Sequence, residues 1–264
     1  MMTKPKKSLG QNFLIDPNTI RKIIEVGKID NHNIIEIGPG SGNLTKEIIK
    51  KKRKRLTLIE KDERLFNNLK ENLSMLDNIY FQNEDILKVN LEKIVKKNTI
   101  IFGNLPYNIS SQILILLIKF CSWPPKYSRL ILMFQKEMAD RIIATKNTSE
   151  YGRISIITNH RLKVVNSFHV SRNCFYPKPK VDSTVIVFEP IKPNNYKIKN
   201  INNLEKITQF FFTSRRKMIN KKFKSLFKNY EFIAEELNIN LSCRPSEISP
   251  LQYFKITEYF EKLI

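Results

Sequence analysis

Two short runs bring together residue types that could do chemistry. The first is Asn104-Leu105-Pro106-Tyr107. An exocyclic amine conjugated to an aromatic ring is a poor nucleophile because its lone pair is delocalised. The side-chain amide oxygen of Asn104 and the carbonyl of Leu105 can accept its two N–H bonds. This draws the nitrogen toward tetrahedral geometry and frees the pair for in-line attack on a methyl sulfonium. Pro106 restricts the turn so that the Leu105 carbonyl can face inward, and Tyr107 offers a ring on which an extruded base can stack. The second run, Glu36-Ile37-Gly38-Pro39-Gly40-Ser41-Gly42, sets three alternate glycines after a β-branched stretch. Its pattern is E-x-G-x-G-x-G, not the G-x-G-x-x-G of dinucleotide sites, and suits a ligand without a pyrophosphate. Glu60 could accept both hydroxyls of a ribose, and Asp85 a hydrogen bond from an adenine amino group, which points to an adenosine-type cofactor.

These residues need a frame. Strand-like runs fall at residues 34–37, 56–59, 79–82, 99–103, 130–134, 164–168 and 184–188, with helical periods at 44–51, 63–73, 91–95 and 110–120 between the first five. Such alternation predicts an α/β fold with a mainly parallel sheet covered on both faces; the last two strands form an antiparallel pair at one edge. Asp16-Pro17 reads as an N-cap followed by Pro at the first helical position. Gly38–Gly42, Glu60, Asp85 and Asn104–Tyr107 each follow a strand, so they outline one crevice over the carboxyl edge of the sheet. Residues 191–203 break the pattern with Pro and Asn and read as a linker. Helical periods alone follow, at 204–212, 215–227, 231–237 and 250–263. The expected domains are residues 1–190, α/β and catalytic, and 191–264, all-α.

The 264 residues include 41% hydrophobic ones, enough for a core, which excludes wholesale disorder. The net charge of +21 points to a polyanionic partner. Part of it reflects composition bias, since Ile, Lys and Asn together make up 98 of the residues. Placement is the better witness: residues 93–136, 151–181 and 206–230 contain no Asp or Glu. The three cysteines form no CxxC pair, and the three histidines show no ligand spacing, so neither a disulfide framework nor a metal is expected. The N-terminus lacks the apolar stretch of a secretory signal, and the longest apolar run, 113–118, is far too short for a membrane span. A cytoplasmic protein is expected.

Taken with Gln11-Asn12-Phe13-Leu14, Tyr151-Gly152-Arg153 and Phe175-Tyr176-Pro177-Lys178-Pro179-Lys180-Val181-Asp182-Ser183, the motifs resemble those of the ribosomal RNA adenine dimethyltransferases, and most of all the bacterial small-subunit enzymes. The resemblance runs from about Lys6 to the C-terminus. It implies a Rossmann-like sheet of the S-adenosylmethionine-dependent methyltransferases with a small all-α C-terminal domain that recognises RNA. It further implies that Asn12, Leu14, Gly38, Gly40, Glu60, Asp85 and Asn104 contact S-adenosylmethionine. Phe175 would stack on the target base opposite Tyr107. The substrate would be two adjacent adenosines in a hairpin loop near the 3′ end of small-subunit ribosomal RNA, within an immature 30S subunit, each taken to its 6-dimethylamino form by a monomer. Arg215, Arg216, Lys217, Lys221, Lys222 and Lys224 would meet the RNA backbone. Two alternatives share parts of the pattern: a large-subunit adenine methylase of the macrolide-resistance type, and a non-catalytic small-subunit assembly factor.

Overall fold

The computed structural model describes residues 5–6, 9–192 and 197–264. They form two compact units, one of Met1–Ala139 with Lys163–Pro190, the other of Asp140–Leu162 with Ile191–Ile264. The first unit contains β1 (Phe13–Leu14), α1 (Pro17–Gly27), β2 (Asn33–Ile37), α2 (Asn43–Ile49), β3 (Arg55–Glu60), α3 (Glu63–Leu73), β4 (Ile79–Asn83), α4 (Leu91–Ile94), β5 (Thr99–Asn104), α5 (Ser110–Ile118) and β6 (Tyr127–Gln135). After α6 (Lys136–Ile143) and α7 (Arg153–Arg161) the chain continues in β7 (Leu162–Val170), β8 (Phe175–Tyr176) and β9 (Ser183–Pro190).

Seven strands form one sheet in the order β4-β3-β2-β5-β6-β9-β7. The first five are parallel, and β9 runs antiparallel to β6. The central strands β2, β3 and β5 are buried almost throughout, as strands covered on both faces must be, whereas the edge strand β4 is half open. Arg55 shields that edge by laying its guanidinium 3.3 Å from the centre of the exposed Tyr80 ring. The start of α1 is built as its sequence demands. Asp16 accepts from the Thr19 amide at 2.7 Å, Pro17 opens the helix, and Ile20, Ile23 and Ile24 are buried. The small β1–β8 ribbon, with Phe13 opposite Tyr176 and Leu14 opposite Phe175, has no counterpart in the periodicity.

The second unit packs α7, α8 (Ile201–Phe212), α9 (Asn220–Leu226), α10 (Tyr230–Glu236) and α11 (Pro250–Glu261) around an aromatic core that includes Tyr151, Phe211, Phe223 and Tyr253. The buried phenols are satisfied: Tyr151 donates to the Ile248 carbonyl at 3.0 Å and Tyr253 to that of Pro245 at 2.9 Å. Ser249 and Gln252 form a capping box at the start of α11.

Three boundaries differ from expectation. Residues 140–162 join the helical unit and not the sheet, because Tyr151 and Ile156 bury themselves in its core. The helical period expected over 215–227 is helix only from Asn220. Before it the chain turns, with Arg215 donating to the Thr148 and Ser149 carbonyls and the Ile219 amide to the Cys243 carbonyl. Of the expected linker, residues 193–196 lie outside the described residues, and α8 begins at Ile201, inside the span read as linker. No helix among the described residues is long and apolar enough to cross a membrane.

Candidate active site

The parallel register aligns the carboxyl ends of β2, β3, β4 and β5. Ile37 pairs with Ile59 on one side and with Gly103 on the other, and Glu60 pairs with Asn83. The chain leaves β2 toward β3 but finds β5 on its opposite flank, so a crevice opens at this switch of strand order, where ligands of open α/β sheets bind. A cleft of about 210 Å³ fills it. Asn12, Leu14, Gly38, Gly40, Glu60, Asp85 and the whole of Asn104–Tyr107 line this one cleft.

The glycine turn is shaped for close approach. Gly38 and Gly40 sit at φ +65° and +59°, a backbone region that L side chains rarely adopt. A Cβ on Gly40 would also come within 3.0 Å of the Phe13 ring. Glu60 holds the turn from the neighbouring strand. One carboxylate oxygen accepts from the Gly40 amide at 3.0 Å and the other from the Asp62 amide at 2.8 Å. Burial raises its pKa, and those two N–H groups partly offset the effect. Asp85 accepts from Lys61 at 2.8 Å and from the Leu87 amide at 3.1 Å, and the lysine holds its carboxyl below the usual range.

Two further carboxyl groups, Asp62 and Glu36, have no role that the sequence assigns to them. Asp62 caps α3 and receives Arg64, Gln11 and Lys6, at 2.8, 3.0 and 3.3 Å. Burial alone would raise its pKa, but these hydrogen bonds hold it far below the ordinary carboxylate range. It ties the chain before β1 to the rim of the cleft. Glu36, the first residue of the glycine motif, is fully buried at the cleft floor and accepts the Thr45 hydroxyl at 2.7 Å. Burial pushes its pKa up to about 8, and the nearby Glu60 adds to the rise. Its signal was present in the sequence as the E of E-x-G-x-G-x-G.

Glu36 makes a pH effect testable. Its pKa is raised from 4.5 in the unfolded chain to about 8 in the folded one. The folded state therefore keeps a proton that the unfolded state releases, and stability falls as pH climbs from about 4.5 to about 8. Glu36→Gln keeps an acceptor for Thr45 without the titration. The variant should match the wild type in acid and exceed it by a few kcal/mol near pH 8. Denaturant unfolding of both proteins between pH 5 and 8 checks this; curves that stay parallel would remove Glu36 as the source.

Asn104 follows from its neighbours. Its Nδ2 donates to the Asn12 carbonyl at 3.0 Å. A carbonyl can only accept, so the amide is locked with its NH2 toward the N-terminal segment and its Oδ1 pointing the other way as an acceptor that no described residue engages. Asn12 itself donates from its side chain to the Gly10 carbonyl at 3.2 Å, and Asn43 holds β1 by donating to the Leu14 carbonyl at 2.8 Å. Leu105 is buried, and its side chain folds back onto Gly103, where a Cβ would sit 2.5 Å from Leu105 Cδ2. The Tyr107 hydroxyl shares a hydrogen bond of 2.8 Å with Ser183, which fixes the ring at the cleft wall.

Three expected residues are placed otherwise. Phe175 is 3% exposed and packs in the sheet's core cluster, so it is not available to stack on a base from this position. Lys222 caps the end of α8, donating to the Phe210 and Phe211 carbonyls and to the Thr213 hydroxyl. Arg215 spends its guanidinium on the carbonyls of residues 148 and 149. Arg216, Lys217, Lys221 and Lys224 are exposed, the last 5.3 Å from the Tyr230 ring.

The sequence model of a family described as "Ribosomal RNA adenine dimethylase" matches residues 2–262. The chain is 47% identical to the "Ribosomal RNA small subunit methyltransferase A" of Pelagibacter ubique over 266 aligned residues, covering all of this chain and 99% of that protein. Among solved structures, a dimethyladenosine transferase from Plasmodium falciparum superposes with a TM-score of 0.79 at 25% identity, over 95% of this chain and 98% of the other. The 23S rRNA methyltransferase ErmE shares the fold, with a TM-score of 0.69 at 24% identity over 94% and 99% of the two chains.

Proposed function

The chain belongs to the ribosomal RNA adenine dimethylase family, and from that premise we propose how its cleft does the work. The protein is an S-adenosylmethionine-dependent methyltransferase that dimethylates adenosine in small-subunit ribosomal RNA. Its substrate is two adjacent adenosines in the 3′-terminal hairpin loop, met in an immature 30S subunit by a cytoplasmic monomer. A loop base is already partly unstacked, which lowers the cost of extruding it.

The locked amide of Asn104 carries this reading. Its Oδ1 and the carbonyl of the next residue, Leu105, would offer the acceptor pair that a conjugated amine needs to localise its lone pair. Tyr107, held by Ser183, presents its ring to the extruded base. Bound S-adenosylmethionine supplies an electrophilic methyl group on a positively charged sulfur. The cleft fits that molecule by its donor set: bare backbone at Gly38 and Gly40 for its methionine end, the Glu60 carboxylate for the ribose hydroxyls, and Asp85 for the adenine amine. Asn12 and Leu14, which line the cleft from the N-terminal segment, would help to hold it. The neutral amine becomes cationic on attack, and its proton leaves to water afterwards, so no side-chain base is required. Arg216, Lys217, Lys221 and Lys224 bind RNA phosphates and set register; Arg215 and Lys222 brace the same segment through their contacts with the 148–149 turn and the end of α8.

Transfer of labelled methyl from S-adenosylmethionine to unmethylated small ribosomal subunits tests the assignment, with large-subunit RNA in parallel and products digested to nucleosides. Dimethyladenosine from the small subunit alone is expected. Label in large-subunit RNA alone would move the protein to the resistance-methylase reading. Cofactor binding without label in either would favour an assembly factor.

A further inference from the structure

The segment 175–183 alternates between anchored and open residues. Phe175 and Pro179 are buried, Ser183 is buried and bonded to Tyr107, and the Arg172 guanidinium donates to the Lys180 carbonyl at 3.2 Å. Between those anchors Tyr176, Lys178 and Lys180 all face solvent, Tyr176 at 50% exposure. Directly opposed residues of a β ribbon project from the same face. Tyr176 therefore leaves β8 on the face of Phe13, its cross-strand partner, which lines the cleft and packs on Gly40. Phe175 and Leu14 occupy the other face and join the core. Both ends of the segment are fastened to cleft-lining residues, Leu14 at one and Tyr107 at the other, so the open residues lie between two attachments to the cleft wall. The acid within the segment, Asp182, is taken up by His169 and by the Arg172 amide.

Resting on the adenine-methylation reading, we infer that Tyr176, Lys178 and Lys180 form a ridge that grips the unpaired RNA beside the target adenosine. Tyr176 stacks on a flanking base, and the two lysines meet the phosphates next to it. An exposed aromatic interleaved with cations suits single-stranded RNA, because every base has a face to stack on and every nucleotide a phosphate. The backbone is already pinned at Phe175, Lys180 and Ser183, so little order is lost on binding. This places an aromatic contact one residue beyond Phe175 and outside the target pocket. Its effect falls on RNA capture and not on the methyl transfer itself.

The test is steady-state methylation of unmethylated small ribosomal subunits by the full chain. Tyr176→Ala should raise the KM for subunits about tenfold and leave kcat within about twofold, whereas Tyr176→Phe, which keeps the ring, should restore the KM. The double variant Lys178→Ala/Lys180→Ala should flatten the dependence of log KM on log salt by about one to one and a half. Calorimetry with S-adenosylhomocysteine should give unchanged affinity in all three variants. An unchanged KM in Tyr176→Ala, or a fall in kcat at constant KM, would overturn the ridge while leaving the methylation reading in place. A wild-type protein that methylates no small-subunit RNA would overturn both.

Discussion

Asn104→Ala is expected to lower kcat by about two to three orders of magnitude while the affinity for small ribosomal subunits stays within about threefold. The asymmetry follows from where the amide acts. Its Nδ2 is committed to the Asn12 carbonyl, and its Oδ1 gains most as the attacking nitrogen becomes pyramidal and charged. Removing it takes away a contact worth little to the resting complex. Asn104→Asp separates the two halves of the side chain. It keeps an acceptor but turns an anionic oxygen on the Asn12 carbonyl, so the N-terminal segment is pushed away and the rate should fall between alanine and wild type. Single-turnover methylation at saturating cofactor, beside filter binding of subunits, reads the two quantities apart. Equal losses of rate and RNA affinity would make Asn104 a general binding residue, and no loss would remove it from the chemistry.

Much of the sheet could be read from the chain, because a strand buried on both faces must be apolar in consecutive residues. The runs at 34–37, 56–59 and 99–103 became β2, β3 and β5, and the glycine turn, Glu60, Asp85 and Asn104 came together because parallel strands bring their carboxyl ends to one edge. Composition could not reveal α6 and α7. The latter is rich in β-branched residues and packs against α8 and α11, far along the chain, with Ile156 in the shared core and the His160 ring edge-on to Phe254. The two-residue strands β1 and β8 are too short for any period and exist because each satisfies the other's backbone.

The same limit decides Phe175 against Tyr176. Both are aromatic and adjacent, and a motif marks them equally; only the register with Phe13 and Leu14 says which one faces the core. Lys222 and Arg215 show the converse. A cation in an acid-free window reads as a phosphate ligand, yet the open carbonyls at the end of α8 and in the 148–149 turn are acceptors nearer to hand.

Glu60→Gln gives a second large effect, and one that an isosteric change would not ordinarily produce. Each carboxylate oxygen accepts a backbone N–H, from Gly40 and from Asp62. A glutamine has one oxygen and one NH2, so one of these donors must face another donor in a buried site, at a cost of about 1–3 kcal/mol. The variant should unfold a few degrees earlier, and its glycine turn should lose the strut that shapes it. It should also lose the charge-assisted acceptor for the ribose hydroxyls. The two losses together should weaken S-adenosylmethionine binding about 10- to 100-fold, with subunit affinity unaltered. The pH dependence separates the two roles. Burial raises the pKa of Glu60, so on acidification the wild type takes up a proton, and gives up the anionic acceptor, sooner than an ordinary exposed carboxylate would. Cofactor affinity of the wild type should therefore fall on acidification relative to neutral pH, whereas glutamine, already neutral, should show no such decline at this position. If calorimetry found the wild-type and glutamine curves parallel but offset, Glu60 would be holding the turn alone. If they converged toward acid pH, its charge would be what the ribose hydroxyls recognise.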